Sequence, residues 1–152
     1  MEPVRRILLV EDEPDIRASL KDLLEMQIPG ATVALAANGA EGLRAMTAHR
    51  PDLIITDYKM PGMNGLEFLE AARAASPDTP RVLMTAYPDL EVATRAINEA
   101  HIENFLAKPV EPEEMIEKIV RILQLGHAKL EKERSLARSL RELAQTIDGT
   151  RK

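Results

Sequence analysis

A chain of 152 residues, 45% of them hydrophobic, holds one compact domain with an appendage, and at 3% aromatics with no Trp its core must be aliphatic and Met-rich. The absence of cysteine excludes disulfides, Cys-ligated zinc and thiol nucleophiles and fits a reducing cytosol. No run approaches the roughly 18 continuous apolar residues of a membrane span, Met1 to Arg6 opens no secretory signal, and the expected location is cytoplasmic. The net charge of −5 is uneven: the chain up to Leu125 carries 13 basic and 21 acidic residues, and the part from Gly126 onward 7 and 4. This shift separates residues 1–125 from a second region, 126–152.

In chain order, Ile7–Val10 reads as a first buried strand, and Pro14 starts a helix that carries Ile16, Leu20, Leu23 and Leu24. Thr32–Ala36 is a weaker, Ala-rich strand, followed by a helix over Ala40–Ala48 that Asn38 caps. Leu53–Thr56 is a third strand, and Asn64 caps a helix over Leu66–Ala75. Val82–Met84 is a fourth, with Asp89 ahead of a helix bearing Val92, Ala93, Ala96 and Ile97. Phe105–Ala107 is a fifth, and Glu111-Pro112 opens a helix through Met115–Leu123. Short continuous apolar runs mark strands covered on both faces. Five β-α units with short connections call for an α/β fold, a doubly wound five-stranded parallel sheet with five helices on its two faces.

Ligands of such sheets bind outside the carboxyl ends of the strands. The first strand ends in Glu11 and Asp12, the third in Asp57, the fourth in Thr85, and the fifth runs into Lys108-Pro109. If the strand order is 2-1-3-4-5, Asp12 and Asp57 face each other across the switch point. Three carboxylates at close range repel and raise one another's pKa, which a hard divalent cation such as Mg²⁺ would relieve. A cation beside a carboxylate nucleophile suggests phosphoryl transfer, with Lys108 as the neutralising ammonium and the Thr85 hydroxyl as a donor.

Four segments, Ile7-Leu8-Leu9-Val10-Glu11-Asp12-Glu13, Asp57-Tyr58-Lys59-Met60-Pro61-Gly62-Met63-Asn64-Gly65, Met84-Thr85-Ala86-Tyr87 and Phe105-Leu106-Ala107-Lys108-Pro109, together resemble the response regulator receiver family over about residues 4–125. The resemblance implies a flavodoxin-like fold, with Asp57 as phosphoacceptor. It implies Mg²⁺ (or Mn²⁺) held by Asp12, Asp57 and the Lys59 backbone carbonyl, with Glu11 acting through water. Thr85 and Phe105 match the family's switch residues and Lys108 its phosphate-contacting lysine, preceding a cis Pro109; Lys59 and Tyr87 stand where phosphate lifetime is tuned. The implied partner is a histidine kinase or phosphotransfer protein. The switch would act on the face of the fourth helix, fifth strand and fifth helix. Ala96-Ile97-Asn98-Glu99-Ala100 is similar to receivers joined to enzymatic outputs.

Taken singly, each of these residues has a plainer reading: a solvated acidic turn, a strand-end hydroxyl, a core Phe. His49, His101 and His127 have no metal-ligand spacing, and Gly62 and Gly65 suit a tight turn rather than a phosphate cradle. A metal-dependent phosphohydrolase would need a second carboxylate soon after the nucleophile, and none follows Asp57 before Glu67. A non-phosphorylated binding module would lack Asp57, Asp12 or Lys108. No glycine-rich nucleotide fingerprint follows the first strand.

Beyond Leu125, His127–Asp148 reads as a charged helix, with Gly126 marking a break or kink where it leaves the domain. Leu136, Leu140, Leu143 and Ile147 are spaced as on a coiled-coil seam. The expectation is a dimerisation helix, or a linker to an output domain, with a homodimer formed jointly by the receiver face and this helix. The basic tail lacks a helix-turn-helix pattern and interleaved aromatics, so it is read as a solvated face rather than a nucleic-acid reader.

Overall fold

The computed structural model describes residues 5–86, 90–102 and 104–150. Five strands, β1 (Arg5–Val10), β2 (Ala31–Ala36), β3 (Leu53–Asp57), β4 (Arg81–Thr85) and β5 (Asn104–Ala107), alternate with α1 (Pro14–Gln27), α2 (Gly39–Ala48), α3 (Gly65–Ala75), α4 (Leu90–Glu99) and α5 (Pro112–Thr150). All four strand pairings are parallel and the order is β2-β1-β3-β4-β5.

The alternation of side chains along each strand builds two cores. Ile7, Leu9, Leu53, Ile55, Val82 and Met84 pack with α1 and with Met115, Ile119 and Ile122 of α5. Leu8, Val10, Ile54 and Leu83 face the other way, onto Phe68, Leu69 and Ala72 of α3 and Ala96 of α4. Every residue of β3 and β4 is buried, as expected for central strands of a sheet covered on both sides.

Local chemistry sets the helix starts. Pro14 occupies the first turn of α1, where its missing N–H costs nothing. Asn38 accepts from Glu41 N at 2.9 Å, while the Glu41 carboxylate reaches back to Ala37 N at 2.8 Å. Asn64 and Glu67 form a reciprocal capping box at α3. Glu111 accepts from the Glu114 and Glu113 amides at the head of α5. Asp89 lies outside the described residues.

One expectation is corrected. Gly126 does not break the helix: α5 runs unbroken from Pro112 to Thr150, so the expected C-terminal helix is present as a continuation of the fifth. A glycine inside a helix costs only about 1 kcal/mol relative to Ala, and the good helix formers around Gly126 outweigh that. Among the described residues, no helix is long and apolar enough to cross a membrane.

Candidate functional site

The parallel register brings the acidic and basic positions together at one edge. Val10 pairs with Thr56 and Asp57 with Met84, so the residues leaving β1 and ending β3 lie side by side. One carboxylate oxygen each of Glu11, Asp12 and Asp57 lies within 4.8 Å of the others. Across β4, the Lys108 amide donates to the Thr85 carbonyl at 2.8 Å, extending the ladder past β5. The Lys108-Pro109 bond is cis. The Lys108 Nζ meets Asp57 Oδ2 at 2.9 Å and Glu11 Oε2 at 3.5 Å.

The burial of these groups decides their electrostatics. Glu11 is fully buried and Asp57 and Thr85 nearly so. Burial pushes the Glu11 pKa above the ordinary 4.5, the Asp57 charge pushes it further, and Lys108 and the Glu13 amide only partly oppose this. For Lys108, burial works against the ammonium, yet the hydrogen bond to Asp57 and the charges of Asp57 and Glu11 outweigh it, holding the pKa above 10.5. Glu11 Oε2 has a cation 3.5 Å away but no hydrogen bond. A buried carboxylate oxygen in that position, with two more carboxylates beside it, fits an oxygen-liganded divalent cation.

The backbone around Asp57 is tightly fixed. Asp57 Oδ1 accepts from the Tyr58 amide at 2.9 Å, and Gly65 N donates to the Tyr58 carbonyl at 2.7 Å. A Cβ on Gly65 would collide with the Asp57 carbonyl oxygen, so this glycine serves a close backbone approach. Gly62, at φ +76°, makes the turn after Pro61. Arg17 Nη1 donates to the Glu11 carbonyl at 2.8 Å and pins the loop that presents Glu11 and Asp12. Asp12 also lines a cleft of about 430 Å³ with Asn38, Gly39, Pro61 and Met63.

The remaining candidates lie around this centre. Lys59 is exposed in the loop after β3, beside Tyr58 and Asn64. Phe105 is half-buried on β5 against the core that includes Val92, and its carbonyl accepts from Lys118 Nζ of α5 at 2.6 Å. Tyr87 lies outside the described residues. His49 and His101 stand apart from the acidic cluster: His49 contacts Arg6 at 3.3 Å and His101 takes a positive φ in the link to β5.

Sequence reasoning missed Arg17 and the role of Gly65. A lysine or arginine one turn into a helix carries no signal of its own, and a glycine required by a neighbour's carbonyl looks like any turn glycine. It also missed Arg81, a buried strand arginine that donates to the Leu69 carbonyl at 2.9 Å and the His101 carbonyl at 3.3 Å.

Comparison with known proteins agrees with this geometry. The family described as response regulator receiver domain matches residues 7–120. Sporulation initiation phosphotransferase F of Bacillus subtilis (strain 168) is 32% identical over 120 residues, covering 79% of this chain and 94% of that protein. The C4-dicarboxylate transport transcriptional regulatory protein DctD of Rhizobium meliloti (strain 1021) is 30% identical over 91% of this chain. Of DctD this chain spans only 28%, and of two other regulators 59% and 50%. Among solved structures, a CheY-like receiver domain protein of Methanospirillum hungatei JF-1 superposes with a TM-score of 0.78 at 33% identity, covering 84% of this chain and 99% of that one. The signal receiver domain of an HD domain-containing protein of Pseudomonas fluorescens Pf-5 gives 0.77 at 29%, covering 83% and 99%. This chain belongs to the response regulator receiver domain family of two-component signalling.

Proposed function

We propose that Asp57 accepts a phosphoryl group from a histidine kinase or phosphotransfer protein in a Mg²⁺-dependent reaction, with Mn²⁺ able to substitute. The observation that carries this reading is the nearly buried Asp57 carboxylate, hydrogen-bonded to Lys108 at 2.9 Å and beside the Glu11 and Asp12 carboxylates. An Asp57 oxygen bonds to phosphorus as the phosphorus–nitrogen bond to the donor imidazole breaks, and the imidazole nitrogen leaves with the electron pair and takes up a proton. Lys108 neutralises charge on the transferred group, and the Thr85 hydroxyl donates to one of its oxygens. Asp12, Asp57 and the Lys59 carbonyl would hold the cation, with Glu11 acting through water. The cation supplies positive charge that three clustered carboxylates and a phosphoryl group need.

Receiver domains are signalling domains rather than turnover enzymes, and the only chemistry assigned here is the transfer and a slow loss of phosphate. The output is conformational. Thr85 draws toward the phosphoryl group, Phe105 turns inward, and the face made by α4, β5 and α5 changes its partner preference. Treating the protein with phosphoramidate and Mg²⁺ and following intact mass tests the assignment. One added phosphoryl group is expected, absent with EDTA and absent in Asp57→Asn; equal modification of Asp57→Asn overturns it.

A further inference from the structure

α2, α3 and α5 each start under a side chain from the turn ahead of them. Asn38 and Asn64 accept from the Glu41 and Glu67 amides, and Glu111 accepts from the Glu113 and Glu114 amides. α1 starts differently, because its N-cap residue, Glu13, makes no side-chain cap. The turn that carries Asp12 is tied from the opposite direction, by Arg17 on the helix.

Each peptide unit of that turn is a rigid plane, and each of four successive planes has a tie. The sheet holds the plane ahead of Glu11, whose amide donates to the Ala36 carbonyl at 3.0 Å. Arg17 holds the plane between Glu11 and Asp12, its Nη1 donating to the Glu11 carbonyl at 2.8 Å. The Glu11 carboxylate holds the plane between Asp12 and Glu13, its Oε1 accepting from the Glu13 amide at 3.3 Å. Arg17 then holds the plane after Glu13 as well, through its own amide, which donates to the Glu13 carbonyl at 2.9 Å. Two of these planes meet at the Asp12 Cα. One hangs on a long bond to a carboxylate of the site itself, and the other on the Arg17 guanidinium. The guanidinium bond is shorter and its donor is charged, so it is the stronger of the two.

We infer that Arg17 is a positioning residue for the cation site, fixing the direction of the Asp12 carboxylate without itself binding the cation. This deepens the proposed function and rests on it. Charge alone argues the other way. A guanidinium near a cation site repels the cation, so the loss of a mere bystander would tighten binding. The loss of a positioning group weakens it, and removing such a supporting bond commonly costs roughly 10–100-fold in metal affinity. The two roles therefore predict opposite signs.

Calorimetric titration with Mg²⁺ alone, without a phosphodonor, tells them apart. Arg17→Met keeps the aliphatic stem and loses the donor, and is expected to bind Mg²⁺ about tenfold more weakly than the unsubstituted chain. Arg17→Lys keeps a charged donor on a similar stem and is expected to recover most of the affinity. In EDTA, backbone amide NMR relaxation is expected to show Asp12 and Glu13 gaining motion in Arg17→Met, while the capped start of α3 at Asn64 and Glu67 is unchanged. Equal or tighter Mg²⁺ binding by Arg17→Met overturns the inference. So does Arg17→Lys binding as weakly as Arg17→Met, or motion rising equally at Glu67, which would mark a general loosening of the fold. If the unsubstituted chain takes up no Mg²⁺, the cation reading itself fails and this inference with it; if it binds and Arg17→Met matches it, this inference alone fails.

Discussion

Replacing Lys108 by Met removes the cation between two buried carboxylates and keeps the side-chain length. Without it, the Glu11 and Asp57 charges face each other, and the cheapest relief is to protonate Glu11, whose pKa burial already raises. Holding a carboxyl of ordinary pKa 4.5 protonated at pH 7 spans about 2.5 pH units at 1.36 kcal/mol each, about 3.4 kcal/mol. That is a ceiling for the charge effect, and it lies within the 3–5 kcal/mol found when one partner of a buried pair is removed. The Lys108 side chain is 23% exposed, so solvent already screens part of the interaction, and a loss of about 2–3 kcal/mol is expected at pH 7. The sign with pH follows from linkage. Lys108 is one of the groups holding the Glu11 pKa down, so the variant's folded state takes up more protons between pH 4.5 and 7 than the parent's. A group with a raised folded pKa gives stability that is present below its unfolded pKa and lost as pH rises. The deficit should therefore shrink toward about 0.7 kcal/mol at pH 5, where the same protonation spans only half a pH unit. Urea denaturation in EDTA at the two pH values measures it. An equal deficit at both would show that Lys108 acts through packing rather than charge.

Magnesium at ten times its dissociation constant should stabilise the fold by about 1.4 kcal/mol, and Asp12→Ala should lose most of that gain at the same concentration. The gain should also fall in acid as Glu11, whose pKa burial and the Asp57 charge raise, takes up a proton, which thermal unfolding with and without Mg²⁺ reads directly. Gly65→Ala forces a methyl into the Asp57 carbonyl and should cost about 1–3 kcal/mol by urea denaturation; a change within 0.5 kcal/mol would mean the loop yields freely. Thr85→Ala should still accept phosphate on Asp57 but lose the movement of Phe105, seen as an unchanged Phe105 ring NMR signal on adding beryllofluoride.

The centre of the site was legible because each of its residues sits at a strand end. Once the apolar runs fixed the strands, parallel pairing brought Glu11, Asp12, Asp57, Thr85 and Lys108 to one edge. Strand lengths were less legible. β1 begins at Arg5 and β4 at Arg81, because charged residues can occupy a strand when their side chains find solvent or, for Arg81, two carbonyls. The supporting contacts of Arg17 and Gly65 depend on how loops fold back over the sheet, which no local pattern encodes. Gly126 shows the opposite failure: a residue with a strong local bias was overruled by its neighbours.

Phosphorylation of Asp57 is best decided by trapping the acyl phosphate itself. After treatment with phosphoramidate and Mg²⁺, borohydride reduction converts a phosphorylated aspartate to homoserine, and peptide mapping locates it. Homoserine at position 57, dependent on both the phosphodonor and Mg²⁺, is the predicted result. Homoserine at Asp12 or elsewhere with residue 57 unchanged, or none at any position, would contradict it.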